Sequence, residues 1–133
     1  DALEWGARAV PSENGGFLQV SGLTYEIHTG VASSAEKDEN GMFTRVSGEY
    51  RVKNVMVGGQ PLELDKTYTL ASHNYMLLGH GDGYTMFDGC EVLGEDMMVD
   101  NQVLITYITT TLGGVVGEQY ANPYGDGRIV AVE

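Results

Sequence analysis

The sequence predicts an α+β domain with a mixed, largely antiparallel sheet and flanking helices. Three observations carry that prediction. "LTYEIH" (Leu23–His28) alternates apolar and polar residues, as a half-buried strand does. "EYRVKNVMV" and "QPLELDKTYTLAS" lie on either side of the Gly58-Gly59 pair, a turn between two strand-like runs. Helical and strand patterns then follow one another in mixed order, without a regular strand–helix repeat.

The elements can be justified in chain order. "DALEWGARAVP" reads as the tail of a helix: Leu3, Ala7 and Val10 share a face, Gly6 weakens it, and Pro11 stops it. "SENGG" (Ser12–Gly16) is a turn, and Leu23, Tyr25 and Ile27 form the buried side of the strand that follows. Residues Gly30–Gly48 are polar, with Asn40-Gly41 as a turn signal, and predict a long surface excursion, mobile or partly hairpin-like. Thr67–Ala71 is expected to be a strand. In "DNQVLITYITTTLGG" the apolar residues Val99, Val103, Leu104, Tyr107, Ile108 and Leu112 make one helical stripe. Asp100 is its expected N-cap and Gly113-Gly114 its end. "GRIVAV" closes the chain as a short apolar strand, expected to pair centrally in the sheet.

The 133 residues are enough for one domain with its own core, and the composition is that of a folded globular chain. Seven basic residues stand against 19 acidic ones, a formal net charge of −12. Nucleic-acid binding rests on Lys and Arg neutralising phosphates, so this balance argues against a nucleic-acid partner and against an anionic membrane surface. No apolar run approaches the ~20 residues of a membrane-spanning helix. A single cysteine, Cys90, excludes an internal disulfide and any paired-cysteine metal knot. The chain opens on Asp1 inside a helical pattern, and the expectation is an incomplete domain cut from a longer parent.

No catalytic constellation stands out. There is no HExxH, no P-loop and no Cys/His ligand spacing. His28, His73 and His80 fall in separate elements, and surface or loop-ordering roles suit them better than ligation. The acidic run Glu36–Glu39 lacks the spacing of a calcium loop and reads as solvated. What stands out is "HNYMLLGHGDGYTMF" (His73–Phe87), where Gly79, Gly81 and Gly83 surround Asp82 beside Tyr75 and Tyr84. A second stretch, "NGGFLQVSG" (Asn14–Gly22), sets Phe17 behind two glycines. An aromatic after a glycine turn is more often a core anchor. Two such rings, however, could sandwich a planar ligand, and a carboxylate between them could accept hydrogen bonds from a vicinal diol.

"GGFLQVSGLTYEI", "VMVGGQPLELDKTYTLASHNYMLLGHGDGYTMF" and "YGDGRIV" together resemble the C-terminal domain of the 5′-nucleotidase family. That family includes UDP-sugar hydrolases and 2′,3′-cyclic phosphodiesterases. The resemblance covers essentially the whole chain and implies a two-domain hydrolase. An N-terminal metallophosphoesterase domain with two divalent metal ions, absent from this sequence, would do the chemistry. The C-terminal domain would supply specificity for a nucleoside or nucleotide. Carried over, Phe17 and Tyr75 would stack on the base and Asp82 would bind ribose hydroxyls. Asn74, Gly79, Gly81 and Gly83 would shape the loop, and Tyr84 would pack. His80 stands where the family pattern has glycine, and between Tyr75 and Asp82 the loop has one residue more than in the family's animal ecto-5′-nucleotidases. The resemblance implies no cofactor or metal in this segment, no catalysis by it alone, and a secreted, periplasmic or cell-surface parent. Two alternatives stay open: a non-catalytic interaction module of the same fold, or specificity for nucleotide sugars or cyclic nucleotides.

Overall fold

The computed structural model describes residues 1–133. In chain order the elements are α1 (Ala2–Ala7), β1 (Leu23–His28), β2 (Ala35–Lys37), β3 (Phe43–Val46), β4 (Val52–Val57), β5 (Gln60–Pro61), α2 (Asn74–Leu77), α3 (Asp100–Thr106) and β6 (Ile129–Val132). They gather into two compact units, one of Asp1–Asp88 with Gly127–Glu133 and one of Gly89–Asp126.

In the first unit a four-stranded sheet runs in the order β5-β4-β1-β6. β1 pairs antiparallel with β4 and parallel with β6, and β4 pairs antiparallel with β5, giving the mixed, mostly antiparallel sheet of an α+β fold. Tyr25 and Ile27 of β1 are buried and the residues between them are not, so alternation reports the core face correctly. Between Thr24 and Glu26 the β1–β4 register shifts by one residue. The extra residue on β4 is taken up beside Asn54, whose left-handed φ of 51° suits asparagine better than a branched side chain. Asn54 also donates a 2.7 Å hydrogen bond to Glu26 across the strands.

The helix α1 is buried on two sides. Leu3, Ala7 and Val10 join Tyr25, Ile27 and Val52 against the sheet, the face expected from the sequence. Trp5 turns the other way, into a second cluster with Phe43 and Tyr84. Phe43 comes from the β2–β3 hairpin, so the polar excursion between Gly30 and Gly48 is ordered around this buried ring, with Ala35 and Val46 packed beside it. Two buried charged residues tie α1 to β4. Glu4 accepts the backbone N–H of Val52 at 2.9 Å, and Arg51 donates to the carbonyls of Ala7 and Val10 at 3.3 and 2.8 Å. The last carbonyls of a helix have no partner within it, and a guanidinium is suited to cap them.

Three expectations need correction. Thr67–Ala71 forms no strand. Pro61 ends β5, and without an N–H it cannot carry the ladder onward at that edge. β6 lies at an edge of the sheet beside β1, not in its centre, because the parallel pairing places it on the side away from β4. Val99 caps α3, and Asp100 is its first residue, with its carboxylate bound to the neighbouring Asn101 N–H at 2.6 Å. A carboxylate held there is not free to serve as the cap. The apolar stripe along this helix is mostly exposed, Val103 and Leu104 being more than half accessible. The helix passes into a π-helical turn at Tyr107–Thr111 and ends at Gly113 and Gly114, both with positive φ.

Candidate functional site

Residues far apart in the chain converge around Asp82. α2 starts at Asn74, whose carbonyl accepts the N–H groups of Leu78 and Gly79, so the chain turns back sharply toward Asp82. Tyr75, the second residue of this helix, is 58% exposed, and its ring lies over Gly81 so closely that a Cβ there would overlap it. At Gly79 a Cβ would meet the Tyr75 carbonyl oxygen at 3.0 Å. Gly83 has φ +83°, and a Cβ on it would lie 2.6 Å from the carbonyl oxygen of Gly41 and 3.0 Å from the Trp5 ring. Only glycine satisfies both demands. The room at these three glycines is thus filled by the protein's own atoms.

Asp82 sits at the exposed tip of a 3-10 turn, Gly81–Gly83, with φ 53° and ψ 20°. His80 precedes it with φ 54° and ψ 25°. Two non-glycine residues in left-handed conformation, one on each side of Gly81, are uncommon and cost of order 1 kcal/mol or more each. His80 therefore adopts the backbone that glycine would take, and its Nε2 pairs with Asp88 at 2.6 Å. From below, the Trp5 indole N–H donates to the Asp82 carbonyl at 2.9 Å. Tyr84, fully buried, donates from its hydroxyl to the Gly16 carbonyl at 2.5 Å, and burial pushes its phenol above the ordinary value.

That last bond fastens the glycine loop to the turn before Phe17. A Cβ on Gly16 would lie 2.9 Å from the Cβ of Asp82 and 3.2 Å from its Cγ, so Asp82 rests against this turn. Phe17 itself is half-buried. It packs on the sheet-side core and lines an open cleft of about 520 Å³ with Val10, Asn14 and Gln19. The structure thus sets the Tyr75 ring on Gly81, the chain neighbour of Asp82, and sets the Asp82 side chain on Gly16, the chain neighbour of Phe17. Gly6 completes the assembly: a Cβ there would meet the Tyr84 hydroxyl at 2.9 Å. Its place in the helix serves close packing, where the sequence reading had it only weakening the helix.

Sequence reasoning missed Trp5. It is the single tryptophan of the chain and 1% exposed. A lone tryptophan beside a helical glycine was the available signal, since both mark a tightly packed helix face. Of the other candidates, His28 pairs with Glu26 at 3.0 Å on the outer side of β1, and Cys90 is exposed. Nowhere do three His, Cys, Asp or Glu side chains gather in a way that could hold a metal ion. No helix is long and apolar enough to cross a membrane.

The sequence model of the family described as "5′-nucleotidase, C-terminal domain" matches residues 1–89, which include Phe17, Tyr75 and Asp82. The chain belongs to the 5′-nucleotidase C-terminal domain family. The protein UshA of Yersinia enterocolitica is 42% identical to it over 57 residues, 43% of this chain and 10% of that protein. The chain therefore spans only a small part of the curated relative it matches. No solved structure matches it. Within the family, the matched segment holds α1, the sheet up to β5, and the Asp82 loop with the turn it rests on.

Proposed function

We propose that this chain is the nucleoside-binding specificity domain of a 5′-nucleotidase-type hydrolase. Tyr75 and Phe17 offer faces to the base, and the Asp82 carboxylate accepts hydrogen bonds from the ribose hydroxyls. Asn74, Gly79, Gly81 and Gly83 shape the loop that presents them. The observation that carries this reading is the convergence of an exposed ring (Tyr75) and an exposed carboxylate (Asp82) on a strained, well-anchored loop beside the Phe17 turn. Base–aromatic stacking contributes about 1–3 kcal/mol per base, and a carboxylate can accept from two vicinal hydroxyls at once.

Hydrolysis of the phosphate ester belongs, on this reading, to a metallophosphoesterase domain of the parent chain with two divalent ions. The side chains present here do not fit such a centre, because no metal-competent cluster exists among them. This chain alone is therefore expected to hydrolyse nothing. The parent would act outside the cytoplasm: secreted, periplasmic or at the cell surface. A net charge of −12 is no obstacle for a surface that meets only an uncharged base and sugar.

The test is an NMR titration with adenosine, which leaves out the phosphate, in the millimolar range appropriate to half a site. Shifts should cluster at Phe17, Tyr75 and Asp82 and disappear in Tyr75→Ala. Binding that leaves these three residues unmoved would overturn the assignment.

A further inference from the structure

Trp5 does more than fill the core. We infer that it is a positioning residue for the Asp82 carboxylate, acting through the peptide plane that follows Asp82. The inference rests on the proposed nucleoside site and adds to it the group that aims its carboxylate.

The geometry is specific. The indole ring is clamped on three sides: edge-on against Phe43 at 5.6 Å between centroids, under the Arg8 guanidinium at 3.7 Å, and against Gly83. Arg8 is itself fixed by donating to the Trp5 carbonyl at 2.7 Å. A ring so held points its one donor in one direction, and that donor meets the carbonyl oxygen of Asp82, 77 residues away in sequence. The carbonyl orientation is set by ψ of Asp82, which is 20° in a left-handed conformation that an aspartate leaves readily for the right-handed region. Turning the backbone out of that region would break the indole bond and swing the Cα–Cβ direction of Asp82 away from Gly16 and the Phe17 turn it rests on. No other side-chain donor reaches the Asp82 carbonyl. A helix residue with no surface of its own thereby sets where an exposed carboxylate points.

Trp5→Phe keeps an aromatic ring in the core and deletes the N–H together with the five-membered ring that carries it. The measurement compares dissociation constants for adenosine and for 2′,3′-dideoxyadenosine, in the native chain and in the variant. In the native chain adenosine should bind more tightly, the difference reporting the hydroxyls that Asp82 holds. In Trp5→Phe that preference should fall by roughly three- to tenfold, the scale of one hydrogen bond, while dideoxyadenosine affinity stays. A variant that keeps the full preference would overturn the inference and leave the nucleoside site standing. A native chain with no preference would instead remove the site on which it rests.

A second readout needs no substitution. With a single tryptophan the indole N–H gives one unambiguous resonance. Adenosine should shift it and dideoxyadenosine should not. If Asp82 responds to the hydroxyls and the indole N–H stays still, Trp5 is packing only.

Discussion

Gly81 carries the sharpest consequence at the scale of single residues. The Tyr75 ring lies where its side chain would be, and more than half of that tyrosine is exposed. In Gly81→Ala the ring is therefore free to swing into solvent, so the stability cost should be about 1 kcal/mol or less. On the proposed function, adenosine affinity should nevertheless drop toward that of Tyr75→Ala, because the ring proposed to stack on the base has moved. Urea denaturation and the adenosine titration read the two quantities separately, and a large stability loss would contradict this account. Phe17, Tyr75 and Asp82 could be singled out in the sequence because glycine next to aromatic and acid is a local pattern. Trp5 and the Tyr84 hydroxyl were not, since what they bond to is set by the tertiary fold alone.

Among the elements, α1 depends on the start of β4, Val52, and on Arg51 just before it. Arg51, 4% exposed, caps the carbonyls of Ala7 and Val10, and Glu4, 1% exposed, accepts the Val52 N–H. Arg51→Met keeps the apolar stem but takes the guanidinium from the Val10 carbonyl and leaves the Ala7 carbonyl with the Val10 N–H alone. It should destabilise the chain by on the order of 2–3 kcal/mol in urea melts. Glu4→Gln retains an acceptor for Val52 and should cost clearly less. Equal losses from the two would mean that packing, not capping, holds the helix. A helix of six residues has little stability of its own, so these contacts decide whether it forms. Strand β1 was legible from alternation, whereas the failed strand at Thr67–Ala71 was not. β-propensity describes a segment, but a strand also needs a neighbour with free N–H and C=O groups, and β5 ends at Pro61 without offering one.

For the whole molecule, stability should fall at both extremes of pH. The carboxyls of Glu26, Glu36 and Glu49 are held below their ordinary value by hydrogen bonds from His28, Arg45 and Lys53 respectively, with Asn54 also on Glu26. The unfolded chain binds these protons more tightly than the native one. Their contribution is therefore present above the ordinary value of 4.5 and is lost as pH falls through the lowered values. At the other extreme, burial pushes the Tyr25 phenol from 10.0 up to about 12, and Tyr84 shifts in the same direction. Here the native state keeps the proton, so stability is full below pH 10 and declines as pH rises toward 12. Thermal melts across pH should show both declines, and Tyr25→Phe should remove part of the alkaline one. A flat alkaline limb would mean that neither phenol is buried in solution.

By itself the sequence determined the α+β class, the inward face of β1, the glycine end of the helical segment that begins with α3 and the family to which the chain belongs. Each of these is written in short-range pattern: a period of two, a turn pair, a run of motif residues. Tertiary structure alone decided the edge position of β6 and the exposure of the α3 stripe. It also decided the second buried side of α1 and the indole bond to Asp82. Those depend on which surfaces meet, and periodicity fixes the face a residue presents without naming the partner 77 positions away that will cover it.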